Sequence, residues 1–427
     1  GNLITNINIL LFCFLGIFHL KDRILKEEYN FIIKIILSFF LVILFSTVIS
    51  FTKSIYFGEY DNGDLTRLIK SIAFFRFFLM LLIAYLLSKF EVLNFKYFFI
   101  FTGLLVPIVS LDVIYQYVFG LNIIGLKSYA HFNSGFFGDE LIAGGFIQNF
   151  SFFTIFLAAY VSNNKKISFF LIIIAICILG IGILVSGNRM PLVLFLLGLA
   201  LVFLLNSKMR IATSVGILIL LLLSKFIISS NNRLQQNYYS YFYNIKNIAI
   251  GFTNISESSQ EKAEKIEAER LDSTNKKDKT LKNVFPGATT SHYKLFMTSL
   301  DTWKKNKLFG NGIKSFRKDC FELENPWLCS NHPHNYYFEI LTETGMVGIL
   351  LVFTIGIYFI AFVIKNFGIL RKSNNFRNFI LLSALISLIL ETFPFKSTGS
   401  IFTTNNATYL ILMASIVLSY DKLIKKE

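Results

Sequence analysis

Charge is scarce in this chain of 427 residues: Asp, Glu, Lys and Arg make up 16% of it, against about 25% in ordinary soluble domains. Proline occurs six times and tryptophan twice. Four cysteines in such a length exclude a disulfide-dense secreted scaffold. There is no C-x-x-C pair, no H-E-x-x-H and no Walker loop, so the usual signatures of zinc and P-loop chemistry are missing. No positively charged leader precedes the first apolar run and no small-residue cleavage site ends it. Residues 1–20 therefore do not read as a signal peptide.

What fills the chain instead is apolar. Hydrophobic residues reach 54%, Phe alone occurs 49 times, and the mean hydropathy is +0.59. These residues come in blocks of about 20, the length a helix needs to cross a bilayer. Runs lie near 3–20, 31–51, 72–88, 97–119, 141–161, 167–186, 190–206, 211–229, 336–364, 379–393 and 401–420. The reading is an all-α polytopic integral membrane protein with about eleven transmembrane helices. Residues 1–229 form an N-terminal bundle of about eight spans, 230–335 a large polar segment, and 336–427 a C-terminal bundle of about three spans.

Orientation follows from Lys and Arg in the short connections. The loops on the side of the large segment carry six, among them Lys53, Arg67, Lys70 and Lys396; the opposite loops and the tail carry sixteen. Basic residues mark the cytoplasmic side, so 230–335 is expected outside and the C-terminus in the cytoplasm. The net charge of +15 thus reflects topology and does not point to nucleic acid. Eleven spans would leave the N-terminus outside. A start at Gly leaves two readings open, an artificial first residue or one further span upstream, which would make twelve.

The external segment divides in two. Residues 254–284 are rich in Lys, Glu, Ser and Asn, and pairs such as Glu261 with Lys265 suit a solvated helix or a mobile stretch. Residues 286–335 hold more: His292, Phe296, Ser299 and Trp303 share one helical face, and Leu308-Phe309-Gly310-Asn311-Gly312 reads as the helix stop. Cys320 and Cys329, nine apart, are either a bridge in an oxidising compartment or two free thiols. Cys13 and Cys177 fall in spans and read as packing residues.

The strongest local pattern is His332-Pro333-His334-Asn335 followed by Gly345-Met346-Val347-Gly348, with a helix beginning near His334. This H-N-x9-G-x-x-G pattern resembles the O-antigen ligase and polymerase superfamily of bacterial envelope enzymes. Ser186-Gly187-Asn188-Arg189 is similar to that superfamily's S-G-x-R signature, and Leu308 to Arg317 to its L-F-G-x-G element. Gly135-Phe136-Phe137-Gly138-Asp139-Glu140 and Phe393 to Ser400 resemble segments of polymerase-like members, in which a Cys often precedes the HPHN turn as Cys329 does here. The resemblance spans roughly residues 110–420.

It implies a GT-C-like, metal-independent and inverting glycosyltransferase in the bacterial inner membrane, with no cofactor and its large loop periplasmic. The donor would be an oligosaccharide on polyprenyl diphosphate. The acceptor would be a second lipid-linked repeat unit in a polymerase or the lipid A core in a ligase, with a chain-length regulator as an optional partner. The residue types suit this chemistry on their own account. A sugar hydroxyl is a poor nucleophile, and a histidine titrating near neutrality can take its proton, which singles out His334. The leaving diphosphate needs cations without a metal, and Arg189 offers the forked donors that match phosphate oxygens. Arg317 and Lys314 are further phosphate candidates. His292 stands where many members of the superfamily have Arg, so it either binds phosphate when protonated or carries protons; this departure favours a polymerase-type member.

His332 is a candidate substrate contact or a turn residue, and Asp139 with Glu140 either contact sugar or cap the following span. Glu339 and Glu343 share one face of the helix after His334 and are expected to orient His334 or Arg189. Asp112 and Glu391 are expected to pair with Lys or Arg; His19 and His131 read as structural. The turn Asp61-Asn62-Gly63-Asp64 is similar to acidic external turns of metal-dependent lipid-linked glycosyltransferases, and also to any turn. Two other functions compete. A flippase for lipid-linked sugars would show repeated span patterns and mid-membrane helix breaks, whereas the His and Arg candidates gather on one side. A scaffold or sensor would not require Arg189, His334 and the G-x-x-G spacing together.

Overall fold

The computed structural model describes residues 2–21, 23–129, 132–239, 291–324, 326–372 and 375–424. The stretch 254–284 and His131 lie outside the described residues. Helices account for nearly all regular structure: α1 (Asn2–Leu20), the short α2 (Arg23–Lys26), α3 (Phe31–Tyr56), α4 (Asn62–Lys89), α5 (Lys96–Phe119), α6 (Ala143–Val161), α7 (Lys165–Val185), α8 (Arg189–Leu205), α9 (Arg210–Ser230), α10 (Ser291–Lys304), α11 (Phe316–Asp319), α12 (Tyr336–Lys372), α13 (Phe376–Glu391) and α14 (Thr404–Ile424). Among the described residues there is no strand, only two isolated bridges in the 121–132 loop.

Each of the eleven apolar runs is a helix. Eight are long and apolar enough to cross a membrane, while α8 is a shorter apolar helix. The molecule is a polytopic membrane protein. Local chemistry sets the helix ends. Asp61 and Asp64 form a capping box that starts α4 at Asn62, well before the apolar run at 72. Arg67 and Lys70, read from sequence as loop residues, therefore lie inside α4. Asn164 and Asn375 cap α7 and α13 through their side chains, and Gly120 ends α5 in the left-handed conformation.

Packing is dominated by phenylalanine, with Phe77, Phe99, Phe152, Phe153, Phe156 and Phe195 fully buried. α6 packs against α5, α7 and α13, α3 against α12, and α4 against α14. Other large apolar side chains, such as Phe14, Phe101, Phe226 and Ile364, face outward, as lipid-facing positions must. Because the helices alternate in direction, loops 57–61, 120–129, 132–142, 186–188 and 392–403 gather with residues 231–239, 291–324 and 326–335 at one end of the bundle.

One helix is not continuous. At about 1.5 Å per residue the 37 residues of α12 would span roughly 55 Å, far more than a bilayer core of about 30 Å. The helix breaks at Gly345, whose φ of 67° and ψ of −164° are non-helical. The run read as one span thus contains a short entry helix, Tyr336 to Thr344, and a long one after the break.

Candidate active site

The break in α12 is where the site is built. Interrupting a helix strands backbone donors and acceptors, which must find partners away from water. Here the loop after α10 supplies them. Met346 and Val347 donate to the carbonyls of Lys307 and Leu308 (2.9 and 3.1 Å), while Asn311 and Gly312 donate to those of Thr342 and Glu343 (both 3.0 Å). The fit is close enough that a Cβ on Gly345 would lie 2.2 Å from the Leu308 oxygen, and one on Gly310 2.5 Å from Glu343 and Thr344 backbone. The two glycine-bearing motifs, separate in sequence, are two halves of one joint.

A third element closes it. Ser46 Oγ in α3 donates to the Glu343 carbonyl (2.7 Å) and accepts from Gly312 N–H (3.0 Å), and Thr47 Oγ1 accepts from Ile313 N–H (3.0 Å). Ser46 and Thr47 went unnoticed in the sequence because they sit in an apolar run, where a hydroxyl normally bonds its own helix.

Above the joint, the HPHN turn leads into α12. Asn335 is its N-terminal cap: its side-chain oxygen accepts from Tyr337 and Phe338 N–H (3.0 and 3.3 Å), and its amide donates to Pro394 O (2.7 Å). His334 is held at φ 58°, a left-handed conformation rare for a side chain of this size, and its carbonyl accepts from Thr398 N–H (3.0 Å). Strain of this kind persists where the surroundings impose it. Tyr336 donates to Glu391 (2.7 Å), which also pairs with Lys396, and Tyr337 donates to Thr392 O (2.6 Å). The 392–403 loop is thereby latched over the entry helix.

Three of the five histidines converge here. The ring centres of His332 and His334 are 4.2 Å apart, and those of His292 and His334 6.2 Å. His292 is placed by α10, which docks through Phe296 stacked on Phe338 at 4.6 Å. Ser330 Oγ lies 3.4 Å from His334 Nε2. Burial, and then His292, hold the His334 imidazole below the ordinary 6.5; burial and His334 do the same for His332. Both are therefore neutral near pH 7, the form in which a histidine accepts a proton.

The carboxylates do something other than expected. Glu339 and Glu343 are both buried, but Glu339 accepts from Ile401 N–H (2.8 Å) and Glu343 from Lys314 N–H. They fasten two loops to the entry helix, each through one carboxylate oxygen that accepts from a loop backbone donor, and no bond to His334 is seen for either. Asp112 likewise takes Asn122 Nδ2 and Ile123 N–H rather than a Lys or Arg, while Glu391 does pair with a lysine. Asp61 and Asp64 serve as caps and as partners for Lys318 and Arg67. Among the described residues no group of His, Cys, Asp or Glu is arranged to hold a metal ion.

Three cations, Lys70, Lys314 and Arg317, gather at the joint. Lys314 is itself left-handed (φ 56°) and half-buried, and burial first, then Lys70 and Arg317, lower its pKa. Like charges gathered this closely favour an anionic ligand. Lys70, absent from the sequence-based candidates, joins them here. Arg189 opens α8 after the Ser186–Asn188 turn, which is braced by Asn188 Nδ2 on Leu141 O and Asn237 Nδ2 on Gly187 O (both 3.0 Å). Asp139 and Glu140 are exposed in the turn before α6. Cys320 and Cys329 are joined in a disulfide and pack with Leu295 and Phe316 into a small core beneath α10.

A cavity of about 500 Å³ opens beside the site, walled by α3, α4, α12, α13 and α14. Its lining is apolar, and it ends at Tyr337, Thr392, Pro394 and Ile401, the residues that latch the entry helix.

Residues 172–353 match the family model described as O-antigen ligase. The matched stretch runs from α7 through the 186–189 turn, α10 and the glycine loop to α12 beyond its break. No curated protein matches the chain. The likeness is to a family described as O-antigen ligase, and it covers somewhat less than half of the chain.

Proposed function

We propose that this protein polymerises oligosaccharide repeat units carried on polyprenyl diphosphate, at the periplasmic face of a bacterial inner membrane, with its C-terminus in the cytoplasm. The observations that carry the reading are the cluster of His292, His332 and His334 and the apolar cavity that reaches Tyr337, at the start of the same entry helix that meets the Lys314 turn at Glu343. A polyprenyl chain must stay in lipid while its diphosphate reaches polar groups, and this juxtaposition meets both needs.

In this mechanism the donor tail lies in the cavity and the diphosphate rests against Lys314, Arg317 and Arg189. His334, neutral at neutral pH, accepts the proton of an acceptor hydroxyl as that oxygen attacks the anomeric carbon. The bond to the diphosphate breaks on the opposite face, so configuration inverts and the cations take up the negative charge on the leaving group. His332 and His292 line the acceptor side; His292 passes the proton onward to solvent, to which it is exposed. Asp139 and Glu140, exposed in the turn before α6, contact the acceptor sugar in this reading.

A ligase that transfers the glycan to the lipid A core is the second reading, favoured by the description of the matching family. Purified protein, supplied with one lipid-linked repeat unit and no lipid A, separates the two. A ladder of lengthened lipid-linked products supports the polymerase. Transfer only after a lipid A core is added supports the ligase, and inactivity with both acceptors overturns the glycosyltransferase reading.

A further inference from the structure

The proposed chemistry depends on a turn held from two sides, by the broken helix, whose Glu343 carboxylate accepts from Lys314 N–H, and by α3. Lys314 lies in a left-handed conformation at the end of a loop whose preceding residues are bonded to the break in α12. Ile313 is fully buried, and its N–H has Thr47 Oγ1 as its acceptor. The Gly312 N–H is shared between the Glu343 carbonyl and Ser46 Oγ. Ser46 and Thr47 are themselves buried, and the backbone here leaves no slack, since a Cβ on Gly312 would lie 2.9 Å from Thr47 Cα.

We infer that Ser46 and Thr47 are positioning residues for the diphosphate site: α3 pins the 310–314 turn against the broken helix and so fixes Lys314 relative to His334. The two hydroxyls reach a loop 266 residues away in the chain, joining the first membrane hairpin to the catalytic half of the molecule. This inference rests on the reading of Lys314 as a contact for the lipid diphosphate. A buried N–H left without its acceptor loses the interaction that specifies the turn. The loop then samples other conformations, and binding of the donor weakens by the fraction lost.

Thr47 offers a discriminating pair of variants. Thr47→Val keeps the shape and removes the acceptor, whereas Thr47→Ser keeps the acceptor and removes a methyl group. With full-length protein in nanodiscs, Thr47→Val and Ser46→Ala are expected to raise the KM for the lipid-linked donor about tenfold, with kcat within about threefold, a ratio corresponding to about 1.4 kcal/mol. Thr47→Ser should stay near wild type. In a Lys314→Ala background, Thr47→Val should cost nothing further, because the turn no longer presents the cation. Amide hydrogen exchange at 310–314 gives a readout independent of activity, and should accelerate in Thr47→Val and not in Thr47→Ser. A Thr47→Ser variant more impaired than Thr47→Val would show that packing rather than the hydrogen bond matters, and would overturn the inference. Full additivity with Lys314→Ala would do the same. If wild-type protein transfers no glycan at all, the glycosyltransferase reading fails; the exchange experiment still decides whether the hydroxyls hold the turn.

Discussion

Replacing Gly345 with alanine should disconnect the broken helix from the loop that completes it. The φ of 67° and ψ of −164° lie in a region open essentially to glycine alone. A side chain there costs about 1–3 kcal/mol in backbone strain. The new methyl carbon would also lie 2.2 Å from the Leu308 oxygen and 2.6 Å from Gly310 N, both backbone atoms that cannot swing aside. The loop must therefore withdraw, breaking the four backbone hydrogen bonds that join residues 307–312 to 342–347. Each is worth about 0.5–1.5 kcal/mol net. The lower ends of these ranges together give about 3 kcal/mol, roughly a hundredfold shift from docked to undocked loop. Limited trypsinolysis reads this directly, since Lys304, Lys305 and Lys307 flank the loop and are exposed; cleavage there should quicken as transfer activity falls. Gly368→Ala, in the same helix with nothing within 4 Å of the added carbon, is the control and should leave both unchanged. A Gly345→Ala protein with wild-type proteolysis and activity would refute the account of the joint.

Other outcomes follow from the same geometry. Arg189→Ala should reduce transfer at least about a hundredfold while leaving expression and thermal stability near wild type, because the residue opens a helix at the membrane surface rather than filling the core; Arg189→Lys should recover only part, having lost the forked donors. The pH profile should have an acid limb with its midpoint below 6.5: a base whose pKa is lowered keeps its active form into mildly acidic solution and loses it as pH falls through the lowered value. His292→Gln removes the smaller of the two causes, burial being the larger, and should move that limb part of the way toward 6.5. Reducing the Cys320–Cys329 bridge, or replacing both residues with serine, should loosen residues 320–334 by about 2–3 kcal/mol on the chain-entropy estimate, seen as faster amide exchange there and lower transfer, with the membrane bundle unaffected. Chelation with EDTA should leave the rate unchanged, and inhibition reversed by a divalent cation would revive a metal role for the Asp61–Asp64 turn.

Much of this architecture is legible in the sequence, because bilayer thickness imposes a length on every apolar run. All eleven runs are helices, and where a boundary moved the cause is local: the capping box at Asp61 carries α4 outward past its apolar stretch. The His332–Asn335 turn and the glycine pairs could be picked out from residue type and spacing. That Gly310 and Gly345 touch could not, since contact between distant segments leaves no periodic trace. The same holds for Ser46 and Thr47, whose hydroxyls look like helix-interior residues until their partners 266 positions away are seen. Glu339 and Glu343 show the opposite failure. Their spacing placed them on one face correctly, but a buried carboxylate takes whatever donor the fold strands beside it. Here that donor was loop backbone rather than a catalytic side chain.

Whether the histidine cluster is the reacting centre is tested most directly by His334→Ala in a reconstituted transfer assay with a lipid-linked repeat unit. Donor binding is measured on the same protein. The account predicts that transfer falls by about two to four decades, as loss of a general base does, while the donor still binds and amide exchange across α12 stays at the wild-type level. A His334→Ala enzyme that extends the glycan at the wild-type rate would contradict it.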